Sequence, residues 1–333
     1  MSISTSRSTS RTTSRITRRG ALVFGALALA AGGAMAQAWP ERPVKMVVPF
    51  PPGGGADNAA RAFGEKLATL LGQAVVIDNK PGASGNIGAE LVARAPADGY
   101  TILFGNEFLA TNPVLFKALR YDPQRDFAPV ARVASSASAI AVHPSVPAKT
   151  LGELIALGKT KPLNYGSPGV GTGPHLYGQL MALNTGAKFS NVPYKGTAPA
   201  VADAIGGQVD FVISTAAPMV PHIQAGKLRA VAVTGAQRTS QLADVPTVAE
   251  TGVISDGYEV WYGVLAPSGV PKAVLAKLRE ASDKALRDPE LVTKLNKAGY
   301  DVNPVTPEQF GAEIKRDMER WARVVEQARI ERE

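Results

Sequence analysis

The sequence contains no cysteine and only three histidines among its 333 residues. Without cysteine it has no disulfide framework, no thiolate nucleophile and no lipid-modified cysteine that would tether a mature N-terminus. The histidines, His143, His175 and His222, show no metal-ligand spacing such as H-E-x-x-H. We therefore expect neither a metal ion nor a cofactor.

An apolar run long enough to cross a membrane, about 20 residues, is also lacking. The longest run, "GALVFGALALAAGGA" at 20–34, follows five arginines without any acid and leads to small-residue patterns ending at Ala36 and Ala38. A basic start, a short apolar core and an A-x-A end predict a secretory signal peptide over residues 1–38. Cleavage is expected after Ala36 or Ala38, and Arg18-Arg19 leaves both the twin-arginine and the general export route open.

A strong excess of one charge is missing once this leader is set aside. The whole chain carries a formal charge of +8, but five of its 36 basic residues lie in the leader, so 31 bases face 28 acids. A nucleic-acid-binding protein would retain a clustered basic face. We expect a soluble, monomeric exported protein that binds no nucleic acid.

Apolar β-branched runs alternate with helical patterns through the remaining chain. The run "VKMVVPF" precedes a helical pattern at 57–71, and the alternation restarts at 139–147. This order predicts an α/β fold with mainly parallel sheets. We expect two α/β domains, residues 39–142 plus 262–333 and residues 143–261, joined by a hinge with a ligand cleft between them.

Four predicted strand-to-helix junctions are rich in glycine. Glycine permits positive φ and a close approach of the backbone to a ligand, and a helix N-terminus attracts anions. The carboxyl ends of parallel strands are also where ligands bind in open sheets. The junctions, which predict an anion site served from both domains, are "PFPPGGGAD" (49–57), "NKPGASGNIG" (79–88), "YGSPGVGTGPH" (165–175) and "PYKGTAP" (193–199).

These loops do not fit nucleotide or nucleophile motifs. A Walker A loop requires Gly-Lys-Ser/Thr, whereas Ala56 and Asp57 follow the first glycines, and Asp57 is interpreted as a helix N-cap. Pro174 stands where a dinucleotide fingerprint has its last glycine. Ser167 lacks the first glycine of a G-x-S-x-G nucleophile elbow. We interpret Trp261 and Tyr262 as packing the hinge, with stacking on a ligand as the alternative.

Several long stretches resemble one family throughout the mature chain. They include "WPERPVKMVVPFPPGGGADNAAR", "VVIDNKPGASGNIGAELVARAPADGYTIL", "NYGSPGVGTGPHL" and "VPYKGTAPAVADAIGGQVD". In this order they resemble the Bug (TctC-like) family, the periplasmic substrate-binding proteins of tripartite tricarboxylate transporters. The resemblance implies a type II periplasmic binding protein-like fold of two Rossmann-like α/β domains. It implies closure over a small carboxylate.

The resemblance also implies which residues contact the ligand carboxylate. The contacts fall in the first and third glycine loops, at Phe50, Gly53, Gly54, Asp57, Ser167, Gly171, Thr172 and His175. The positions of predicted strand ends add Asn106, Tyr194, Ser214 and Thr215 as weaker candidates. The stretch "GNEFLATNP" is less typical of the family, and its Glu107 is unexpected near an anion. Glu107 either points away from the site or recognises an amino or hydroxyl group of the ligand.

The function expected from this resemblance is that of a receptor and not of an enzyme. The receptor would deliver its carboxylate to TctA/TctB-like membrane subunits. Two alternatives stay open: a receptor that reports to a sensor protein of a two-component system, and an exported hydrolase of small esters or amides. The absence of a nucleophile elbow, a cysteine and a metal motif counts against the hydrolase.

Overall fold

The structure is a computed structural model that describes residues 1–2, 4, 39–255 and 257–332. The apolar core and both cleavage positions of the predicted signal peptide lie outside these residues. Within the described part, no helix is both long and apolar enough to cross a membrane. The compact unit that carries the fold extends from Arg42 to Glu333.

The first half of this unit is built from strand–helix repeats, as the sequence pattern predicts. Strand β1 pairs in parallel with both β2 and β3, and its last three residues are fully buried. Because these strands are parallel, their carboxyl ends, and the loops that follow them, meet at one edge of the sheet. The elements are β1 (Val44–Val48), α1 (Gly55–Leu71), β2 (Val75–Asn79), α2 (Asn86–Ala93), β3 (Thr101–Asn106) and α3 (Phe108–Leu115).

A long strand, β4 (Phe127–Val142), connects the two halves of the sheet. Its residues up to Ala137 pair antiparallel with β9 (Glu259–Pro267), and from Ser138 onward it pairs with the strands of the second half. The sequence pattern predicts mainly parallel sheets and did not indicate this antiparallel pair. Both strands are buried on both faces, so they lack the polar–apolar alternation that marks an antiparallel strand.

The second half repeats the strand–helix arrangement on the other side of β4. The strand order of the sheet is β2-β1-β3-β9-β4-β7-β5-β6, and β8 also pairs with β4. Strand β5 is parallel to β6 and β7, so its loops again lie at one edge. The elements are α4 (Leu151–Thr160), β5 (Leu163–Ser167), α5 (Gly173–Thr185), β6 (Phe189–Pro193), α6 (Thr197–Ile205), β7 (Phe211–Thr215), α7 (Val220–Gln224) and β8 (Arg229–Val233).

Three C-terminal helices complete the unit: α8 (Lys272–Leu286), α9 (Pro289–Lys297) and α10 (Pro307–Gln327). Helix α10 begins with a capping box, in which Thr306 and Gln309 satisfy each other's backbone N–H groups. Its apolar face contacts α3, β4 and α5, and its Trp321 is fully buried. The helix therefore packs against elements of both halves of the sheet, behind the strands that connect them.

Candidate ligand-binding site

The first glycine loop turns directly from β1 into α1. Gly53 has φ +81°, a conformation that favours glycine, and a Cβ there would meet nothing within 4 Å. Gly54 is the N-cap residue in an extended conformation (φ −78°, ψ 172°). The first N–H groups of α1 have no partner within the helix, so those of Gly55 and Ala56 are positioned to bind an anion.

Asp57 stabilises this loop from inside the helix. Its buried carboxylate accepts hydrogen bonds from the Gly53 N–H, the Arg61 Nε and the Asn79 Nδ2, each at 2.9 Å. Burial raises the pKa of Asp57, but the hydrogen bonds from Arg61, Gly53 and Asn79 outweigh burial and lower that pKa below its ordinary value. The interpretation of Asp57 as the N-cap is wrong: α1 starts earlier than the pattern indicates, and Gly54 holds that position.

Replacing Asp57 by alanine is expected to reduce the free energy of unfolding by about 2 kcal/mol, because the Gly53 N–H and the Asn79 amide lose a buried acceptor. Urea denaturation measures the change. Asp283→Ala is the matched control, because Asp283 pairs with Arg287 on an exposed helix face and such pairs contribute little. Equal stability losses in the two variants would contradict the bracing role of Asp57.

The second loop of the predicted site, residues 165–175 between β5 and α5, is held by its own side chains. Gly169 and Gly171 have φ of +151° and +76°. The Thr172 hydroxyl donates to the Gly169 carbonyl at 2.8 Å, and the Ser167 hydroxyl lies 3.4 Å from the same oxygen. Thr172 is the N-cap residue of α5 but makes no side-chain cap to the helix. Both hydroxyls therefore lie beside the start of α5.

His175 is buried in the first turn of α5 as a neutral side chain. Burial lowers the pKa of His175 to about 4. Its Nδ1 accepts the Gly171 N–H at 3.1 Å, so the hydrogen of the neutral ring lies on Nε2. The ring thus fixes the glycine loop with one nitrogen and has a donor on the other.

The four weaker ligand-binding candidates lie at or just beyond strand ends, but they differ in whether their polar groups already have a hydrogen-bond partner within the protein. The Tyr194 hydroxyl donates to Asp203 and the Ser214 hydroxyl donates to Thr197, both at 2.8 Å. Asn106 Oδ1 accepts the N–H of Phe108 at 3.1 Å. Thr215 ends β7 opposite Ser138. Tyr194 and Ser214 thus use their hydroxyls within the second half, which favours a supporting role for them.

Glu107 connects the two halves of the sheet where their carboxyl ends face each other. It follows β3 in the first half, and its Oε1 accepts the N–H of Gly173, the first residue of α5, at 3.3 Å. Its Oε2 accepts the Tyr258 hydroxyl at 2.6 Å. The side chain is buried, and burial raises the pKa of Glu107 to about 7 although both hydrogen bonds oppose the shift. Glu107 therefore points neither into solvent nor away from the second loop.

Neighbouring contacts bring further parts of the two loops together. Phe50, from the first glycine loop, packs edge-to-face on Phe108 with 5.7 Å between ring centroids. A Cβ at Gly171 would lie 2.6 Å from Leu115 of α3. The start of α3 thus contacts the first loop, and its end contacts the second.

Two tyrosines, of which sequence reasoning had singled out only Tyr262, lie beside the start of α1. Strand β9 places Tyr262 opposite Asn106, and a Cβ at Gly55 would lie 3.2 Å from its hydroxyl. The Tyr300 hydroxyl donates to the Gly55 carbonyl at 2.8 Å. Burial raises the pKa of Tyr262 well above its ordinary value, so its hydroxyl stays protonated as a donor. The motif "YEVWYGV" indicated hinge packing, but no sequence signal linked these rings to Gly55.

The parallel strands of the two halves run in opposite directions, and their carboxyl ends, where helices α1 and α5 begin, face each other near the middle of β4. Within the described residues, no cluster of three or more acidic or histidine side chains could hold a metal ion. The arrangement offers backbone N–H groups, hydroxyls and a neutral imidazole as donors. An α/β unit with a donor-lined site between the two halves of its sheet is typical of proteins that bind a small solute.

Comparison with known proteins gives the family. Residues 59–330 match the TctC family, described as "Tripartite tricarboxylate transporter family receptor". The chain belongs to this family of solute-binding receptors, which are not enzymes, and the expected type II periplasmic binding protein-like fold is confirmed.

Three solved structures illustrate the similarity. The periplasmic binding protein BugD is 36% identical with a TM-score of 0.77, over 89% of this chain and all of that one. An R. palustris protein solved with adipate is 34% identical with a TM-score of 0.79, over 89% of this chain and 100% of that chain. MatC from Rhodopseudomonas palustris, with bound malate, is 31% identical with a TM-score of 0.75, over 86% and 100%.

Proposed function

We propose that the protein captures a small carboxylate between the start of α1 and the loop of residues 165–175, and delivers it to TctA/TctB-like membrane subunits. The two helix N-termini at the facing carboxyl ends of the two halves carry this proposal, because a helix N-terminus favours negative charge. Related proteins solved with adipate and with malate support a carboxylate as the ligand.

The donors around this position suit binding without a covalent step. The N–H groups of Gly55 and Ala56 approach from one side. The Nε2 of His175 approaches from the other side and the Tyr262 hydroxyl from below, while the Ser167 hydroxyl donates to the Gly169 carbonyl and supports the loop. All are neutral, so the anion exchanges water for fixed dipoles without forming an ion pair. In this arrangement Gly53 and Asp57 shape the first loop, and Gly171 and Thr172 shape the second.

In this proposal the chain forms two domains that close on the ligand. One domain is residues 39–142 plus 262–333, and the other is residues 143–261. Ligand contacts made from both parts would favour a closed arrangement over an open one. The same proposal includes export to the periplasm and removal of the leader after Ala36 or Ala38. N-terminal sequencing of the exported protein tests the cleavage position.

Gly54→Ala is expected to weaken carboxylate binding at least about tenfold while leaving stability unchanged. The added Cβ would meet only the Pro51 carbonyl at 3.6 Å, but it would keep an anion from the N–H groups behind it. Gly206→Ala is the matched control, at another negative φ with ordinary contacts. Isothermal titration with mono-, di- and tricarboxylates measures the affinities.

The titrations also test the proposal as a whole. If amines or sugars bind at micromolar concentration and no carboxylate does, the proposed ligand class is wrong. Uptake of the bound carboxylate by cells with and without this chain tests delivery to a transporter. Normal uptake together with a lost transcriptional response would instead favour the sensor-linked receptor.

A further inference from the structure

Glu107 places a carboxylate of the protein itself at the start of α5. Its Oε1 accepts the Gly173 N–H, and its Oε2 accepts the Tyr258 hydroxyl. Its position is thus the same helix N-terminus that would attract the anionic end of a ligand.

Few N–H groups at the start of α5 remain free to bind a ligand once Glu107 is bonded there. The first residue of the helix donates its N–H to Glu107, and the second is Pro174, which has no N–H. The N–H of Gly171, just before the helix, is taken by His175. At α1 the corresponding N–H groups of Gly55 and Ala56 stay directed beyond the helix. The two helix starts are therefore unequal as anion sites.

The charge of Glu107 is not compensated by a cation. Across residues 39–255 and 257–332, no lysine or arginine forms a hydrogen bond or ion pair with it, and the charged group that raises its pKa further is another acid, Asp317. Asp57 differs, because Arg61 lies 2.9 Å from its carboxylate. His175, in the adjacent turn, is neutral because burial lowers its pKa. With Glu107 ionised, above about pH 7, the α5 side of the site therefore carries net negative charge.

We propose that Glu107 determines ligand specificity by charge. The site selects a molecule with one carboxylate, held at α1, whose other end carries a hydroxyl or ammonium group toward α5, and it discriminates against dicarboxylates. This inference rests on the proposed function, because it concerns the same site. It separates this protein from the relatives that were solved with the dicarboxylates adipate and malate.

The expected loss of affinity for a dicarboxylate follows from the repulsion between its second carboxylate and Glu107. Two carboxylates about 7 Å apart in a partly buried site repel strongly enough to reduce affinity on the order of 30-fold or more. A hydroxyl or ammonium group at the same position gains a hydrogen bond to a charged acceptor. Ligands of equal length that differ only at this end should therefore differ in affinity by at least tenfold.

Isothermal titration at pH 8 with two matched series tests the proposal. The series are 4-hydroxybutanoate, 4-aminobutanoate and succinate, and 6-hydroxyhexanoate, 6-aminohexanoate and adipate. In the series that binds, the unmodified protein should prefer the hydroxy or amino acid at least tenfold over the dicarboxylate. Glu107→Gln should raise dicarboxylate affinity and reduce that preference to less than threefold.

The variant Tyr258→Phe distinguishes the effect of the Glu107 charge from the effect of its hydrogen bond to Tyr258. This variant removes the hydroxyl that bonds Glu107 but keeps the carboxylate, so the preference should persist. If Tyr258→Phe and Glu107→Gln lose the preference equally, Glu107 acts only as a structural link and the proposal is wrong. A preference of the unmodified protein for the dicarboxylate would also overturn it. Failure of every carboxylate to bind would instead contradict the proposed function.

Discussion

Alanine at position 173 is expected to lower the free energy of unfolding by about 4 kcal/mol and to abolish ligand binding. Its Cβ would lie 1.6 Å from the Tyr258 hydroxyl. Tyr258 has no room to move, because its ring stacks on Tyr177 and contacts the edge of Trp321. Displacing it would also break its hydrogen bond to Glu107 and leave that buried carboxylate short of a donor.

Urea denaturation of Gly173→Ala measures this loss. Gly152→Ala is the control, because Gly152 lies in helix α4 and its nearest neighbours would be 3.9 Å from the new Cβ. That variant should be unchanged or more stable by up to about 1 kcal/mol, since alanine favours helix. A Gly173→Ala protein as stable as the parent would show that the contact between α5 and Tyr258 is not rigid.

Glu107→Gln is expected to stabilise the ligand-free protein at high pH and not at low pH. Burial raises the pKa of Glu107 from 4.5 to about 7. Below pH 4.5 the carboxyl is protonated in both the folded and the unfolded states, so it makes no difference. Between pH 4.5 and 7 only the unfolded state releases the proton, and folded-state stability falls. Above pH 7 the accumulated cost reaches about 3 kcal/mol, which the neutral glutamine avoids.

Unfolding free energies of both proteins at pH 4.5, 6 and 8 test this prediction. The stability difference should grow with pH and level off near pH 8. Glu280→Gln serves as the control, because Glu280 is an exposed residue beside Lys284, which lowers its pKa. A constant difference between parent and Glu107→Gln across this range would mean that Glu107 has an ordinary pKa in the folded protein.

The pKa shifts of Glu107 and His175 have the same cause, burial, but opposite directions. Glu107 gains its raised pKa from burial beside Asp317, whereas burial lowers the pKa of His175 because a cation is disfavoured there. At neutral pH the imidazole is therefore uncharged. Burial raises the pKa of Glu107 to about 7 and that of Asp317 to about 6, so both carboxyls change charge near this pH. Binding measurements at pH 8 report the charged form of Glu107.

The sequence by itself determined the local elements and the chemistry of the loops. Alternating apolar runs and helical patterns predicted β1 to β3 with their helices. The absence of Gly-Lys-Ser/Thr excluded a phosphate-transfer loop. Long family-specific stretches such as "PFPPGGGADNAAR" indicated the receptor class, which the match over residues 59–330 confirms. These features depend on residues close together in the chain, so propensity and motif spacing are sufficient to detect them.

Only the tertiary structure decided what each polar group does. Asp57 is bonded to Asn79, 22 residues away, and Glu107 meets Gly173 and Tyr258, 66 and 151 residues away. The antiparallel pairing of β4 with β9 brings Tyr258 and Tyr262 under the glycine loops. Contacts at such separations leave no periodic pattern in one sequence, since they arise when buried strands pair across the sheet. The sequence therefore indicated an anion site, and the fold decided that one of its two helix N-termini already holds a carboxylate of the protein.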